Sequence, residues 1–161
     1  RLAALQLCVE TTVGGTAYNA VQTAPTSPTS PQAVPVALQH GTVELLNEKG
    51  CKHRKVLILY TGGTIGMMKS ENGSLGPVPG ALVKRLKQLD ELQETTMPQC
   101  SVLEFDPILD SADMCPDDWM SIASVVQKYY YEYDGFVILH GTDTMAYTAS
   151  ALSFMLEQLA K

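Results

Sequence analysis

The stretch Lys55–Met68, KVLILYTGGTIGMM, decides how this chain folds. An apolar run, Val56–Tyr60, passes directly into Thr61, Gly62, Gly63 and Thr64. A short apolar run that stops at Gly-Gly predicts a buried parallel strand ending in a tight turn. In open α/β sheets, ligands bind beyond the carboxyl ends of the strands. Two hydroxyls and bare glycine backbone therefore stand where a site would form. A threonine hydroxyl attacks only after a base accepts its proton. Backbone amides of the Gly62–Ile65 turn could serve such chemistry as an oxyanion hole. The same hydroxyls can equally close a turn, and the motif alone leaves both roles open. It is not a phosphate-binding P-loop, because the lysine and glycine spacing of that motif are absent.

Working downstream, a polar glycine-rich loop spans Met67–Gly80, long enough to act as a lid or to be a plain surface excursion. Leu82, Val83, Leu86 and Leu89 give Ala81–Asp90 the spacing of an amphipathic helix. Val102–Phe105 predicts a second strand, ended by Pro107, with the cluster DSAD at Asp110–Asp113 behind it. Pro116 suits the first turn of a helix whose core face is Trp119, Ile122, Ala123, Val126 and Tyr130. Phe136–Leu139 predicts a third strand, ending in HGTDT at His140–Thr144, and Thr144–Ala160 a third helix. This alternation argues an α/β fold with a mostly parallel sheet flanked by helices. Parallel strands would bring TGGT, DSAD and HGTDT to one sheet edge. Thr142 or Asp143 could cap the last helix, and Asp113 the one before it. His140 reads either as a base or, with better odds, as a hydrogen-bonded structural residue.

Upstream, the sequence is of another kind. PTSPTSPQAVP, residues 25–35, places four prolines among Thr and Ser and reads as an extended, mobile spacer. A phosphorylation or SH3-ligand use is the alternative. A short helix is expected at Leu2–Cys8, a weak amphipathic patch at Val36–Asn47 and a solvated basic run around His53. Residues 1–54 are thus expected to be a poorly ordered tail, and 55–161 an α/β domain. The net charge is -6, and from Lys55 onward 14 acidic residues face 7 Lys and Arg. That balance argues against a nucleic-acid or membrane-surface role. Cys8, Cys51, Cys100 and Cys115 form no C-x-x-C, so neither a zinc site nor a disulfide framework is expected. Reduced thiols point to the cytoplasm. No apolar run approaches the roughly 20 residues of a membrane span, and residues 1–24 lack signal-peptide features.

YTGGTIG at Tyr60–Gly66, DSADM at Asp110–Met114 and GFVILHGTDTMAYTASALSFMLE at Gly135–Glu157 resemble the asparaginase/glutaminase family. The likeness is to its type I, cytoplasmic branch, which includes the asparaginase domain of animal asparaginase/lysophospholipase proteins. It covers Lys55–Lys161. The family fold it implies is an N-terminal α/β domain followed by a smaller α/β domain. The activity it implies is hydrolysis of L-asparagine, with L-glutamine left open, to aspartate and ammonia, without cofactor or metal. Thr64 matches the nucleophilic threonine, which forms an acyl-enzyme. Thr142 matches the second active-site threonine, and Asp143 the aspartate that binds the substrate α-amino group. Ser111 matches the serine that binds the α-carboxylate. Asp110, Gly63 and Gly141 complete the implied substrate-binding set. Thr61 becomes the structural companion of Thr64.

Three departures follow from the same likeness. The family pairs the second threonine with a lysine found later than Lys161, which implies that the chain is the N-terminal part of a longer, homo-oligomeric enzyme and is inactive alone. The lid has no tyrosine; Ser74 or Leu75 stands near that place. Ala112 follows Ser111 where a polar residue is common. A tRNA-dependent amidotransferase subunit and a non-catalytic truncated product are the alternatives; a lysophospholipase finds no G-x-S-x-G here.

Overall fold

Val56–Tyr60 is apolar throughout, not alternating, because the strand it belongs to is covered on both faces. The computed structural model describes residues 39–69 and 72–161. The spacer at 25–35, the helix expected at Leu2–Cys8 and most of the expected tail lie outside the described residues. In chain order the strands are β1 (Gln39–Leu45), β2 (Cys51–Gly62), β3 (Met67–Lys69), β4 (Leu75–Pro77), β5 (Pro98–Leu109) and β6 (Gly135–Leu139). The α-helices are α1 (Ala81–Lys87), α2 (Pro116–Lys128) and α3 (Met145–Met155). Four strands form one sheet in the order β1-β5-β2-β6. β2 runs parallel to both β5 and β6, and β1 lies antiparallel on the outer side of β5. The fold is therefore α/β, with the expected parallel centre.

Register explains the two cores. Ile58 pairs with Val102 and Tyr60 with Glu104, so these side chains share one face. There they meet Leu82 and Val83 of α1. Leu57 and Leu59 point the other way and pack with Leu103 and Phe105 against Ile122, Ala123, Val125 and Val126 of α2 and Leu152 of α3. Burying a Leu or Ile side chain stabilises by about 1.5–3 kcal/mol, so these two layers fix where β2 must end.

The sheet starts earlier than Lys55. β1 pairs with β5 from Gln39, and the expected boundary falls inside β2. Two features hid this. The β1 ladder shifts register between His40 and Val43, which blurs its alternation, and Lys52, His53 and Arg54 are exposed residues off the regular ladder. His53 is exposed, as expected. Asn47 locks the β1–β2 connection onto β5: its amide donates to Leu92 O (2.7 Å) and Pro98 O (3.0 Å), and its carbonyl accepts from Cys100 N (2.7 Å).

β5 passes through Pro107 instead of ending there. The proline nitrogen, which has no hydrogen to donate, falls where the β2–β5 register shifts. α1 stops at Lys87, short of Asp90, and a 3-10 turn at Asp90–Gln93 follows. α2 begins at Pro116 as expected, but Asp113 does not cap it; the Asp118 carboxylate accepts from Cys115 N at 2.7 Å instead. α3 is shorter than expected, and its N-cap is Thr144. The loop Met67–Gly80 contains the hairpin β3–β4, with Met68 opposite Gly76. β6 is the outer strand beside β2, with Val137 44% exposed, and Tyr147 and Phe154 of α3 stand out at 67% and 79% exposure.

Candidate active site

The carboxyl ends of β2, β5 and β6 meet because glycine lets their backbones touch. Gly62 has φ 152° and lies so close to Leu109 that a Cβ would fall 1.9 Å from its carbonyl oxygen. Gly63, with φ 101°, backs onto Gly141: a Cβ there would lie 3.1 Å from the Gly141 Cα. A Cβ on Gly141 would in turn lie 2.5 Å from Ser111 Oγ. TGGT, HGTDT and DSAD are thus stacked in that order. Thr144 Oγ1 donates to Ser111 O (2.7 Å), tying the start of α3 to the DSAD turn.

The two threonines of the first turn separate cleanly. Thr61 is 1% exposed, and its hydroxyl donates to Leu139 O at 3.1 Å, joining β2 to the end of β6. Thr64 opens a 3-10 turn, Thr64–Gly66, and is exposed. Thr142 and Asp143 are exposed too, and neither caps α3. Among the described residues, no hydrogen bond occupies the side chains of Thr64, Thr142 or Asp143. Ser111 is buried at 3% exposure under Gly141. Asp110 is exposed and accepts from Ala112 N (3.1 Å), so it caps its own short turn.

His140 is built into the scaffold. Trp119 Nε1 donates to Thr148 Oγ1 (3.0 Å), which leaves the threonine hydrogen for His140 Nε2 (2.9 Å). Nδ1 then carries the ring proton and donates to Gly141 O at 2.6 Å. With both nitrogens engaged, the imidazole orients the HGTDT turn and has no lone pair for substrate.

Two site-forming residues escaped the sequence reading. The Tyr60 phenol lies beneath the Thr64 turn: it donates to Gly63 O at 3.3 Å, and Gly66 packs directly against its hydroxyl. Glu104, its register partner, accepts from Gly80 N (2.8 Å) through Oε2. Burial first, and the Glu104 charge second, push the phenol pKa above its usual value; the Gly66 N–H pulls weakly the other way. The available signal was an acid, Glu104, inside the apolar run Val102–Phe105. Outside the turn, Arg85 Nη1 donates to Ile65 O at 2.9 Å. Among the described residues, no group of three or more His, Cys, Asp or Glu is placed to hold a metal, and no helix is long and apolar enough to cross a membrane.

An open α/β sheet with three polar strand ends gathered at one edge defines a ligand-binding or catalytic protein of the doubly covered sheet type. The family model described as "Asparaginase, N-terminal" matches residues 55–161, and the chain belongs to this family. It is 54% identical over 108 residues to L-asparaginase 1 of Escherichia coli strain K12, covering 67% of this chain and 32% of that protein. It is 45% identical over 128 residues to the 60 kDa lysophospholipase of Mus musculus, covering 67% and 22%. Among solved structures, L-asparaginase I of Vibrio cholerae superposes with TM-score 0.57 at 50% identity, covering 63% of this chain and 30% of that one. The chain therefore spans about a third or less of the length of these relatives.

Proposed function

We propose that the polypeptide carrying this chain hydrolyses the side-chain amide of L-asparagine to L-aspartate and ammonia, with Thr64 as nucleophile. The observation that carries the reading is the glycine stack Gly63–Gly141–Ser111, which brings an exposed Thr64 to the same edge as Thr142 and Asp143. Thr64 Oγ attacks the amide carbon and loses its proton to a base. Turn amides near Thr64 would face the developing oxyanion. Collapse expels ammonia and leaves an ester on Thr64, which water cleaves to aspartate. Asp143 holds the substrate ammonium, and Ser111, with Asp110, Gly63 and Gly141, the α-carboxylate end. No cofactor or metal takes part.

The proton path needs a lysine beside Thr142, as the family likeness implies. Lys161 does not serve: its Nζ donates to Tyr130 O and, at 2.7 Å, to Tyr133 O, beyond the far end of α3. We infer that residues 1–161 alone turn over no asparagine and that the whole enzyme is a homo-oligomer. The free thiols Cys51, Cys100 and Cys115 support a cytoplasmic location.

The test is ammonia release from L-asparagine and L-glutamine by the longest natural polypeptide that carries these residues, beside its Thr64→Ala variant. Turnover of asparagine that vanishes in the variant is the expected result. Undiminished release by Thr64→Ala removes Thr64 as nucleophile.

A further inference from the structure

The Thr64 turn rests on an unusual pair. Tyr60 is fully buried, yet its hydroxyl makes only a long contact, 3.3 Å, to Gly63 O; phenol donors favour about 2.7–2.8 Å. Gly66 is packed against that hydroxyl so closely that a Cβ would sit 2.0 Å from it. Glu104 faces the same side of the sheet from the neighbouring strand. One of its oxygens holds Gly80 N at the exit of the hairpin loop. The other, Oε1, is buried without a hydrogen-bond partner among the described residues. A buried carboxylate oxygen left unpaired costs free energy and calls for a reason.

We propose that Tyr60 is a positioning residue for Thr64, its phenol holding the Gly63–Thr64 peptide, while Glu104 holds the other root of the hairpin loop at Gly80. The chemistry is direct. Gly63 C=O and Thr64 N–H belong to one peptide group. A donor on that carbonyl polarises the unit and makes Thr64 N–H a stronger donor. The two side chains thus support both roots of the hairpin loop: Gly66 packs on the phenol, and Gly80 is held by the carboxylate. The catalytic part of this inference rests on the asparaginase reading above; the placement of the turn does not.

The experiment uses Tyr60→Phe and Glu104→Gln, in the longest natural polypeptide. Amide hydrogen exchange at Thr64–Gly66 is read first, because it needs no turnover. It should speed roughly tenfold in Tyr60→Phe while the strand Leu57–Leu59 keeps its protection. The kcat for asparagine should fall roughly five- to tenfold, with KM within about threefold. Glu104→Gln, which keeps an oxygen for Gly80 N, should leave exchange at Thr64–Gly66 within about twofold of the wild type. Unchanged exchange at the turn in Tyr60→Phe overturns the proposal, as does a Glu104→Gln effect there as large as that of Tyr60→Phe. A wild-type protein that releases no ammonia while its turn still responds defeats the asparaginase reading alone.

Discussion

Gly63 and Gly141 stand back to back, and Gly141 has Ser111 on its other side. A methyl on Gly141 would lie 2.5 Å from Ser111 Oγ and 2.7 Å from Ser111 Cβ, closer than such atoms approach. Gly141→Ala must therefore push the DSAD turn away from the HGTDT turn. The expected cost is about 1–3 kcal/mol of stability, read as a lower denaturation midpoint in urea. Loss of substrate binding should accompany it, since the shifted part is the one that carries Ser111.

Exposed polar residues outside the packing network should show the opposite pattern. Thr64, Thr142 and Asp143 are exposed and hold nothing else in place. Thr64→Ala, Thr142→Ala and Asp143→Ala should each change stability by less than about 0.5 kcal/mol. Asparagine turnover should drop on the order of a thousandfold or more in each. Parallel denaturation and ammonia assays would decide this; a variant that loses both folding and activity would mark its residue as structural.

Thr61 is the control for Thr64, three residues away and of the same type. Its buried hydroxyl serves Leu139 O. Thr61→Val keeps the shape and removes that donor, which should cost about 1–2 kcal/mol. Any turnover that remains should show an ordinary KM. A Thr61→Val protein as stable as the wild type would show that the bond to Leu139 contributes little.

The parallel centre was legible because β2 and β6 announce themselves as short apolar runs closed by glycine and threonine clusters. The edge was also legible, since parallel neighbours must place their polar ends together. What could not be read was anything that depends on a neighbour. β1 looked like tail because its bulge breaks the alternation and its partner, β5, lies more than fifty residues away. Asn47 gives no local sign that its three hydrogen bonds replace a turn. Thr61 and Thr64 are the same letter; the family likeness separates them, and burial shows why: the Thr61 hydroxyl is spent on Leu139 O. Tyr60 and Glu104 become a pair through register alone. The caps went wrong for a related reason: Thr142, Asp143 and Asp113 are good capping residues, but Thr144 and Cys115 occupy the N-cap positions, and the Asp118 carboxylate inside α2 accepts from Cys115 N.

The Tyr60 phenol also sets a limit on alkaline stability. Burial, then the nearby Glu104 charge, raises its pKa above the ordinary value of 10.0. The folded protein therefore holds this proton more tightly than the unfolded chain does. Its contribution to stability is complete below about pH 10 and is lost as pH rises through 10 toward the higher folded value. Cys100, raised from 9.0 by burial, acts in the same direction from a lower starting point. Tyr60→Phe removes the phenol, so its stability should fall less between pH 9 and pH 11 than that of the wild type, although it starts lower. Urea midpoints at several pH values in that window, for both proteins, measure the difference. Parallel curves for the two would place the alkaline loss elsewhere, in Cys100.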